Sequence, residues 1–226
     1  MSRPALIVFA KVPEPGRVKT RLTPPLAPAE AADLYDAFLR DALDRYAGLG
    51  AAPGGPAVRL YLAGDGGGGL APPGVTVHPQ RGDGLGERML RAFVETFAAG
   101  HDRAVVVGTD HPTLPLDFFG LAFDTLDDPL TAVLGPSDDG GYYLLGLNDI
   151  VPDLFDMAYS HPHVFQDTLD RAMEVDLTPV VLPAHYDVDD RASLARLVQE
   201  WRAGADTGPR TDRMLRTLTE RHPLET

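Results

Sequence analysis

Three short segments concentrate the side chains that could handle a phosphorylated ligand. The first, Lys11-Val12-Pro13-Glu14-Pro15-Gly16-Arg17-Val18-Lys19-Thr20-Arg21-Leu22, sets four cations against one carboxylate. Two prolines stiffen it, and Gly16 lets the backbone approach a ligand closely. Lys11 and Lys19 are the only lysines among the 20 basic residues of the chain. A lysine is a compact, mobile point charge suited to phosphate oxygens, whereas arginine is a planar fork, so two lysines in one basic loop point to an anion site. The second segment is Gly108-Thr109-Asp110-His111-Pro112, directly after an apolar run. A carboxylate at that place, Asp110, suits a divalent ion that bridges phosphate oxygens, because Mg²⁺ usually takes only one or two protein carboxylates. The third group is acidic: Asp138 and Asp139 before two glycines, and Asp187-Val188-Asp189-Asp190. One carboxylate from either would complete a metal shell, although Asp189 or Asp190 also suits the cap of a following helix. Between these segments, Gln80-Arg81-Gly82-Asp83-Gly84-Leu85-Gly86-Glu87-Arg88 is a Gly-rich turn into a helix, fit to hold a base or sugar edge.

These segments need elements to position them, and the hydrophobic pattern supplies a regular alternation. Ala5 to Ala10 is an uninterrupted apolar run of strand length, as expected of a strand buried on both faces. After the basic loop, Pro28 stands at a first helical position, and Ala31, Leu34, Tyr35, Phe38, Leu39, Ala42 and Tyr46 recur at helical spacing. Further strands are predicted at Val58 to Leu62, Val75 to His78, Arg103 to Gly108, Thr131 to Gly135, Tyr142 to Leu147 and Pro179 to Leu182. Helices are predicted at Leu85 to Ala98, Leu116 to Leu126, Val164 to Met173, Arg191 to Trp201 and Asp212 to Arg221. Strands alternating with helices imply a single α/β domain over residues 1–226. Its sheet would be mostly parallel and covered on both faces, with ligands beyond the carboxyl ends of the strands. The Gly64 to Gly69 stretch reads as a hairpin-like connection rather than a boundary.

Several apparent motifs fail their context. Gly64 to Gly69 satisfies G-x-G-x-x-G, but Leu70-Ala71-Pro72-Pro73 cannot open the helix that a dinucleotide fingerprint requires. Lys19-Thr20 lacks the preceding glycine of a Walker loop, and no serine has the flanking glycines of a nucleophile elbow. His161 and His163 alternate as a metal pair would on a strand, yet without further ligands a turn is the better reading.

With 33 acidic residues against 20 basic, the net charge is −13, and nucleic-acid binding is not expected. With no cysteine there is no disulfide, no thiolate nucleophile and no cysteine-ligated zinc. No apolar run approaches the length of a membrane span. Met1-Ser2-Arg3-Pro4 leads straight into the first strand, so neither a signal peptide nor a membrane anchor is expected, and the location is predicted to be cytoplasmic.

The order of five motifs is more specific than any one of them: KVPEPGRVKTRL at Lys11 to Leu22, GDGLGERM at Gly82 to Met89, GTDHPTLP at Gly108 to Pro115, GPSDDGGYYLLGL at Gly135 to Leu147 and YDVDDRASL at Tyr186 to Leu194. Over nearly its whole length the sequence resembles a bacterial family of glycosyltransferase-like proteins, the radical-SAM/selenodomain-associated or arsenosugar-biosynthesis transferases. They belong to the GT-A nucleotide-diphospho-sugar transferase superfamily, and the chain is more distantly similar to phospholactate and molybdenum-cofactor guanylyltransferases. The resemblance implies a Rossmann-like α/β/α sandwich with a mixed sheet. It implies phosphate contacts at Lys11, Lys19 and Arg21 and a metal-binding aspartate at Asp110, with Asp139 and Asp189 facing the same cleft. Where that family tends to carry a Trp-Ser/Gly-Thr turn, this chain has Tyr159-Ser160-His161, a departure that bears on the acceptor.

The expected function is a Mg²⁺- or Mn²⁺-dependent transferase using a nucleotide or nucleotide-sugar donor and a small-molecule acceptor. Lys19, Arg21 and Asp110 are the expected catalytic residues. Lys11, Gly16, Lys19, Arg21, Arg81, Gly84 and Gly86 would bind nucleotide or phosphate, and Asp110, Asp139 and Asp189 the metal. Glycosyl transfer is the first reading, nucleotidylyl transfer with release of pyrophosphate the second, and a non-catalytic nucleotide or sugar-nucleotide binding protein the third.

Overall fold

The computed structural model describes residues 3–67 and 69–224. Among them, one seven-stranded sheet runs β3-β2-β1-β4-β6-β5-β7. The strands are β1 (Pro4–Lys11), β2 (Ala57–Ala63), β3 (Val75–Pro79), β4 (Arg103–Val107), β5 (Thr131–Pro136), β6 (Tyr142–Leu147) and β7 (Thr178–Val181). All neighbours are parallel except β6, which runs antiparallel to both β4 and β5. The helices are α1 (Pro28–Ala51), α2 (Leu85–Ala98), α3 (Asp117–Thr125), α4 (Val164–Glu174), α5 (Arg191–Arg202) and α6 (Pro209–Arg221). This is the expected α/β fold with a mostly parallel mixed sheet. None of the described helices is long and apolar enough to cross a membrane.

The period-2 alternation of β1 distributes its side chains between two cores. Leu6, Val8 and Ala10 pack with Leu39, Leu43 and Tyr46 of α1 and Phe119 and Ala122 of α3. Ala5 and Ile7 pack on the opposite face with Met89, Ala92 and Phe93 of α2 and Ala172 of α4. A third cluster, beyond the sheet, joins α1, α5 and α6 through Phe38, Leu197 and Leu215, and Leu22 and Leu26 of the basic loop are buried in it. Two leucines thus tie the end of a polar loop to a helix core.

One expectation about connectivity fails. The Gly64 to Gly69 segment does not turn a hairpin, because β2 and β3 pair in parallel, Leu60 opposite Val77. Parallel neighbours need a connection that returns the chain to the same end of the sheet, and the described residues between 64 and 74 form no helix. The G-x-G-x-x-G pattern accordingly opens no helix.

From β1 the chain steps to β2 and β3 on one side, then crosses back to place β4 on the other side of β1. The crevice at such a switch point lies outside the carboxyl ends of β1 and β4. In this chain those ends lead into the basic loop at Lys11 and the Gly108–Asp110 turn.

Candidate functional site

A cleft of about 550 Å³ opens at that switch point. One wall is the loop after β1. Arg17 N–H donates to the Glu14 carbonyl at 3.0 Å, and Gly16 adopts φ 77° within that turn. Lys19 then takes φ 48°, a left-handed conformation that costs a non-glycine residue about 1 kcal/mol, immediately before the one-turn helix Thr20–Leu22. That turn carries the side chain inward rather than into solvent. Lys19 is 9% exposed, and its Nζ lies 2.6 Å from Oδ1 of Asp189 and contacts Oδ1 of Asp110.

Burial alone would push the Lys19 ammonium down, but the charges of Asp110 and Asp189 outweigh it and raise its pKa. Burial would likewise raise the carboxyl of Asp189, and Lys19 brings it below the ordinary value instead. The side chain of Tyr35, from α1, links the ends of two strands. Its hydroxyl accepts from Lys11 N–H at 2.9 Å and from the Thr109 hydroxyl at 3.4 Å. Burial first, and the Asp110 charge second, push that phenol up to about 12, so it stays neutral.

The loops that bear carboxylates are joined chiefly through backbone groups. Val188 N–H donates to the Asp110 carbonyl at 2.9 Å, and Asp138 N–H to the His185 carbonyl at 3.0 Å. His111 is buried, with Nδ1 2.8 Å from the Tyr186 carbonyl. Burial holds its pKa near 4, so it is neutral at pH 7, and the Tyr186 carbonyl requires the proton on Nδ1. Helix α5 adds a clamp outside the cleft. The Arg196 guanidinium lies 3.8 Å above the Tyr186 ring and bonds Asp138 at 2.9 Å and Glu200 at 3.0 Å. Glu200 in turn accepts from the Tyr186 hydroxyl at 2.7 Å and from Thr113 at 3.4 Å.

The expected site residues separate into two groups. Lys11, Lys19, Arg21, Asp110 and Asp189 line the cleft together. Gly16 shapes the loop without lining it, and Gly84 is the extended residue before α2. Arg81 is exposed and turns towards Glu95, 4.0 Å away. Gly86 is buried under Tyr159. A Cβ there would stand 2.5 Å from Tyr159 Cε2, so the glycine makes room for a side chain of the protein itself. Asp139 lies outside the lining, where its Oδ1 accepts from Gly141 N–H at 2.9 Å. Its charge, with that of Asp189, adds to burial in raising the Asp187 carboxyl to about 6, against the hydroxyl that Ser137 donates at 2.8 Å. His161 and His163 sit in the turn before α4, with His161 Nε2 3.1 Å from the Ala158 carbonyl.

Phe9, Gln80, Arg88, Tyr142 and Ser160 also line the cleft. Gln80 and Arg88 bound the Gly-rich segment expected to hold a base or sugar edge, but none of the five is among the expected site residues. Gln80 donates both amide hydrogens, to the carbonyls of Ala10 and Tyr61, each at 3.0 Å. Its place directly after β3, at the same sheet end as Lys11, was the available signal. Tyr142 had none, because only the antiparallel direction of β6 brings its first residue to the carboxyl end of β4.

Among the described residues no three His, Cys, Asp or Glu side chains are grouped to hold a metal ion. Two carboxylate oxygens nonetheless converge on one point. Oδ1 of Asp110 is buried without a hydrogen bond of good geometry, with the Lys19 ammonium against it. A pair of carboxylates facing an open cleft suits a hard divalent ion that draws its remaining ligands from phosphate and water.

Residues 50–161 match the bacterial family DUF2064, described as an uncharacterized protein conserved in bacteria. No match is found among curated proteins. Among solved structures, one from Desulfovibrio desulfuricans G20, provisionally assigned as a nucleotide-diphospho-sugar transferase, superimposes with a TM-score of 0.85 at 32% identity, over 96% of this chain and 95% of that one. A cytidylyltransferase from Leptospira borgpetersenii serovar Hardjo-bovis (strain JB197) gives 0.54 at 11% identity, over 97% and 95%. CMP:2-keto-3-deoxy-manno-octonic acid synthetase, complexed with CTP, gives 0.51 at 12%, over 89% and 99%. The last two share the fold. The first shares the fold and a third of the sequence over nearly its whole length, and the chain belongs to the nucleotide-diphospho-sugar transferase family.

Proposed function

We propose that the protein is a metal-dependent transferase that takes a nucleotide-sugar donor and passes its sugar to a small-molecule acceptor. The observation that carries this reading is the convergence of Lys19 with Asp110 and Asp189 at the ends of β1 and β4, in a cleft also lined by Lys11 and Arg21. Asp110 and Asp189 would hold Mg²⁺ or Mn²⁺, which when bound neutralises diphosphate oxygens as a Lewis acid. Lys11 and Arg21 line the cleft, and the Arg21 charge also acts on Asp189, helping to lower its carboxyl, so a cation on either side chain would face the diphosphate. With a divalent ion on the two carboxylates, the Lys19 ammonium is left for a phosphate oxygen.

In the transfer, a bond forms between an acceptor oxygen and the anomeric carbon, and the bond from that carbon to the β-phosphate oxygen breaks. The electron pair leaves with the nucleoside diphosphate, and the acceptor proton passes to water. Cations fixed before the reaction favour the transition state, where charge on the departing diphosphate is larger than in the donor. Lys19 meets that requirement, because its burial and its left-handed turn hold it in place.

Incubating the protein with Mg²⁺ or Mn²⁺ and panels of nucleotides and sugar nucleotides tests the reading. Release of a nucleoside diphosphate supports glycosyl transfer. Pyrophosphate would make the protein a nucleotidylyltransferase, and tight binding without turnover a binding protein.

A further inference from the structure

Part of the cleft lining comes from α2 and the turn before α4, and it carries one cation that the reading above leaves unused. Arg88 lines the cleft, and its Nε donates to the Gly82 carbonyl at 2.9 Å. That bond fixes the plane of the guanidinium and leaves the two Nη groups as a fork. Neighbouring arginines of this region face carboxylates, Arg91 on Glu87 at 2.6 Å and Arg81 on Glu95 at 4.0 Å. Arg88 has no ion-pair partner among the described residues, although the chain has 33 acidic residues for 20 basic ones. Beside it, the Tyr159 ring seats on Gly86 and brings Ser160, at φ 67°, to the lip of the same cleft. Phe9, Met89 and Tyr142 form an apolar stretch of the lining.

We infer that Arg88 binds an anionic group, a phosphate monoester or a carboxylate, on the acceptor. A pre-oriented fork recognises both groups bidentately, and the apolar lining suits a carbon skeleton attached to the anion. This rests on the proposed transferase reading for the word acceptor, but the binding itself can be measured without turnover.

The test titrates the full chain with phenyl phosphate, benzoate and benzyl alcohol, which share a ring and differ in charge, alongside GDP and UDP with Mg²⁺. At least one anion should bind about 10-fold more tightly than benzyl alcohol, and Arg88→Gln should erase that preference while leaving nucleotide affinity unchanged. Equal binding of charged and neutral probes overturns the inference, as does an Arg88→Gln protein that keeps the preference. Loss of nucleotide affinity in Arg88→Gln with the probes unaffected also overturns it, by assigning Arg88 to the donor. Should Arg88→Gln not fold, Arg88→Lys is read instead. It should keep a charge preference but weaken the anion about 5-fold, and unchanged affinity counts against the inference. Failure of the transferase reading shows differently: neither nucleotide binds, while the Arg88-dependent preference persists.

Discussion

The ammonium of Lys19 lies 2.6 Å from Oδ1 of Asp189, a residue 170 positions later, and contacts Oδ1 of Asp110 as well. One buried lysine therefore offsets half the charge of the two carboxylates that would otherwise repel a phosphorylated ligand. The pairing also holds together the loops after β1 and β4 and the loop before α5. A cation at this point keeps the cleft assembled, and a divalent ion would take over the same two carboxylates.

Substituting Lys19 by Arg should lower nucleotide affinity about 10-fold or more. The planar guanidinium does not fit a slot shaped for a single Nζ between two carboxylates, and a charge-assisted hydrogen bond is worth roughly 1.5–3 kcal/mol. Titration with Mg²⁺ and a nucleotide panel measures this, and undiminished affinity would remove the argument from the two lysines.

Asp110→Asn should weaken Mn²⁺ binding and reduce turnover about 100-fold, since it removes the charge from the one buried, poorly bonded carboxylate oxygen of the cleft. Chelation of the metal from the wild-type protein should weaken nucleotide binding in the same direction, because the rest of the chain is strongly acidic. Manganese titration followed by an assay with and without EDTA decides the point. An Asn variant with full metal affinity and activity is incompatible with the assignment.

Arg196→Ala removes the guanidinium that stacks on Tyr186 and ties down Asp138. These contacts are half exposed, so the stability loss should be only about 1 kcal/mol. The acidic loops they steady should bind Mn²⁺ roughly 10-fold less well. Urea unfolding and metal titration on the same protein separate the two effects, and a change in stability alone would leave Arg196 a merely structural residue.

His111 gives the protein a stability term that depends on pH. Burial lowers its folded pKa to about 4 from the ordinary 6.5, so the unfolded chain binds the proton more readily. The contribution is present above pH 6.5 and is lost as pH falls towards and through 4, about 3 kcal/mol in all. Asp187 acts in the opposite sense. Its folded pKa is raised to about 6, and it costs stability as pH rises from 4 towards 6. Comparing wild type with His111→Gln in urea at pH 7 and pH 4.5 isolates the histidine: the variant should lose less stability on acidification.

Gly140→Ala should destabilise the fold by about 2–4 kcal/mol. Its φ of 90° is unfavourable for any other residue, and a Cβ would lie 2.0 Å from the Pro162 carbonyl oxygen. Chemical denaturation measures the loss. A near-neutral result would mean that residues 159–163 are not seated on the acidic loop.

Periodicity and composition made the order and type of the elements legible, because apolar runs at strand length and at helical spacing have few other ways to be buried. Composition also brought out the basic loop with its two lysines, and the place directly after a strand brought out Asp110, whereas Arg21 and Asp189 were named as site residues through the family resemblance. Lys11, Lys19, Arg21, Asp110 and Asp189 meet in the cleft. Glycines misled where one residue type serves two purposes. Gly86 looked like room for a ligand and is room for Tyr159.

The sequence alone determined that strands and helices alternate, that the basic loop follows the first strand, and that carboxylates follow later ones. Only the tertiary structure decided which of them meet. The crossing from β3 back to β4, the parallel pairing of β2 with β3 and the reversed direction of β6 are relations between segments far apart in the chain. Local propensity carries no record of such pairings, because their free energy arises when distant apolar faces share one core. It was that packing which carried Asp189 to Lys19, left Asp139 outside the cleft and set Arg88 within it.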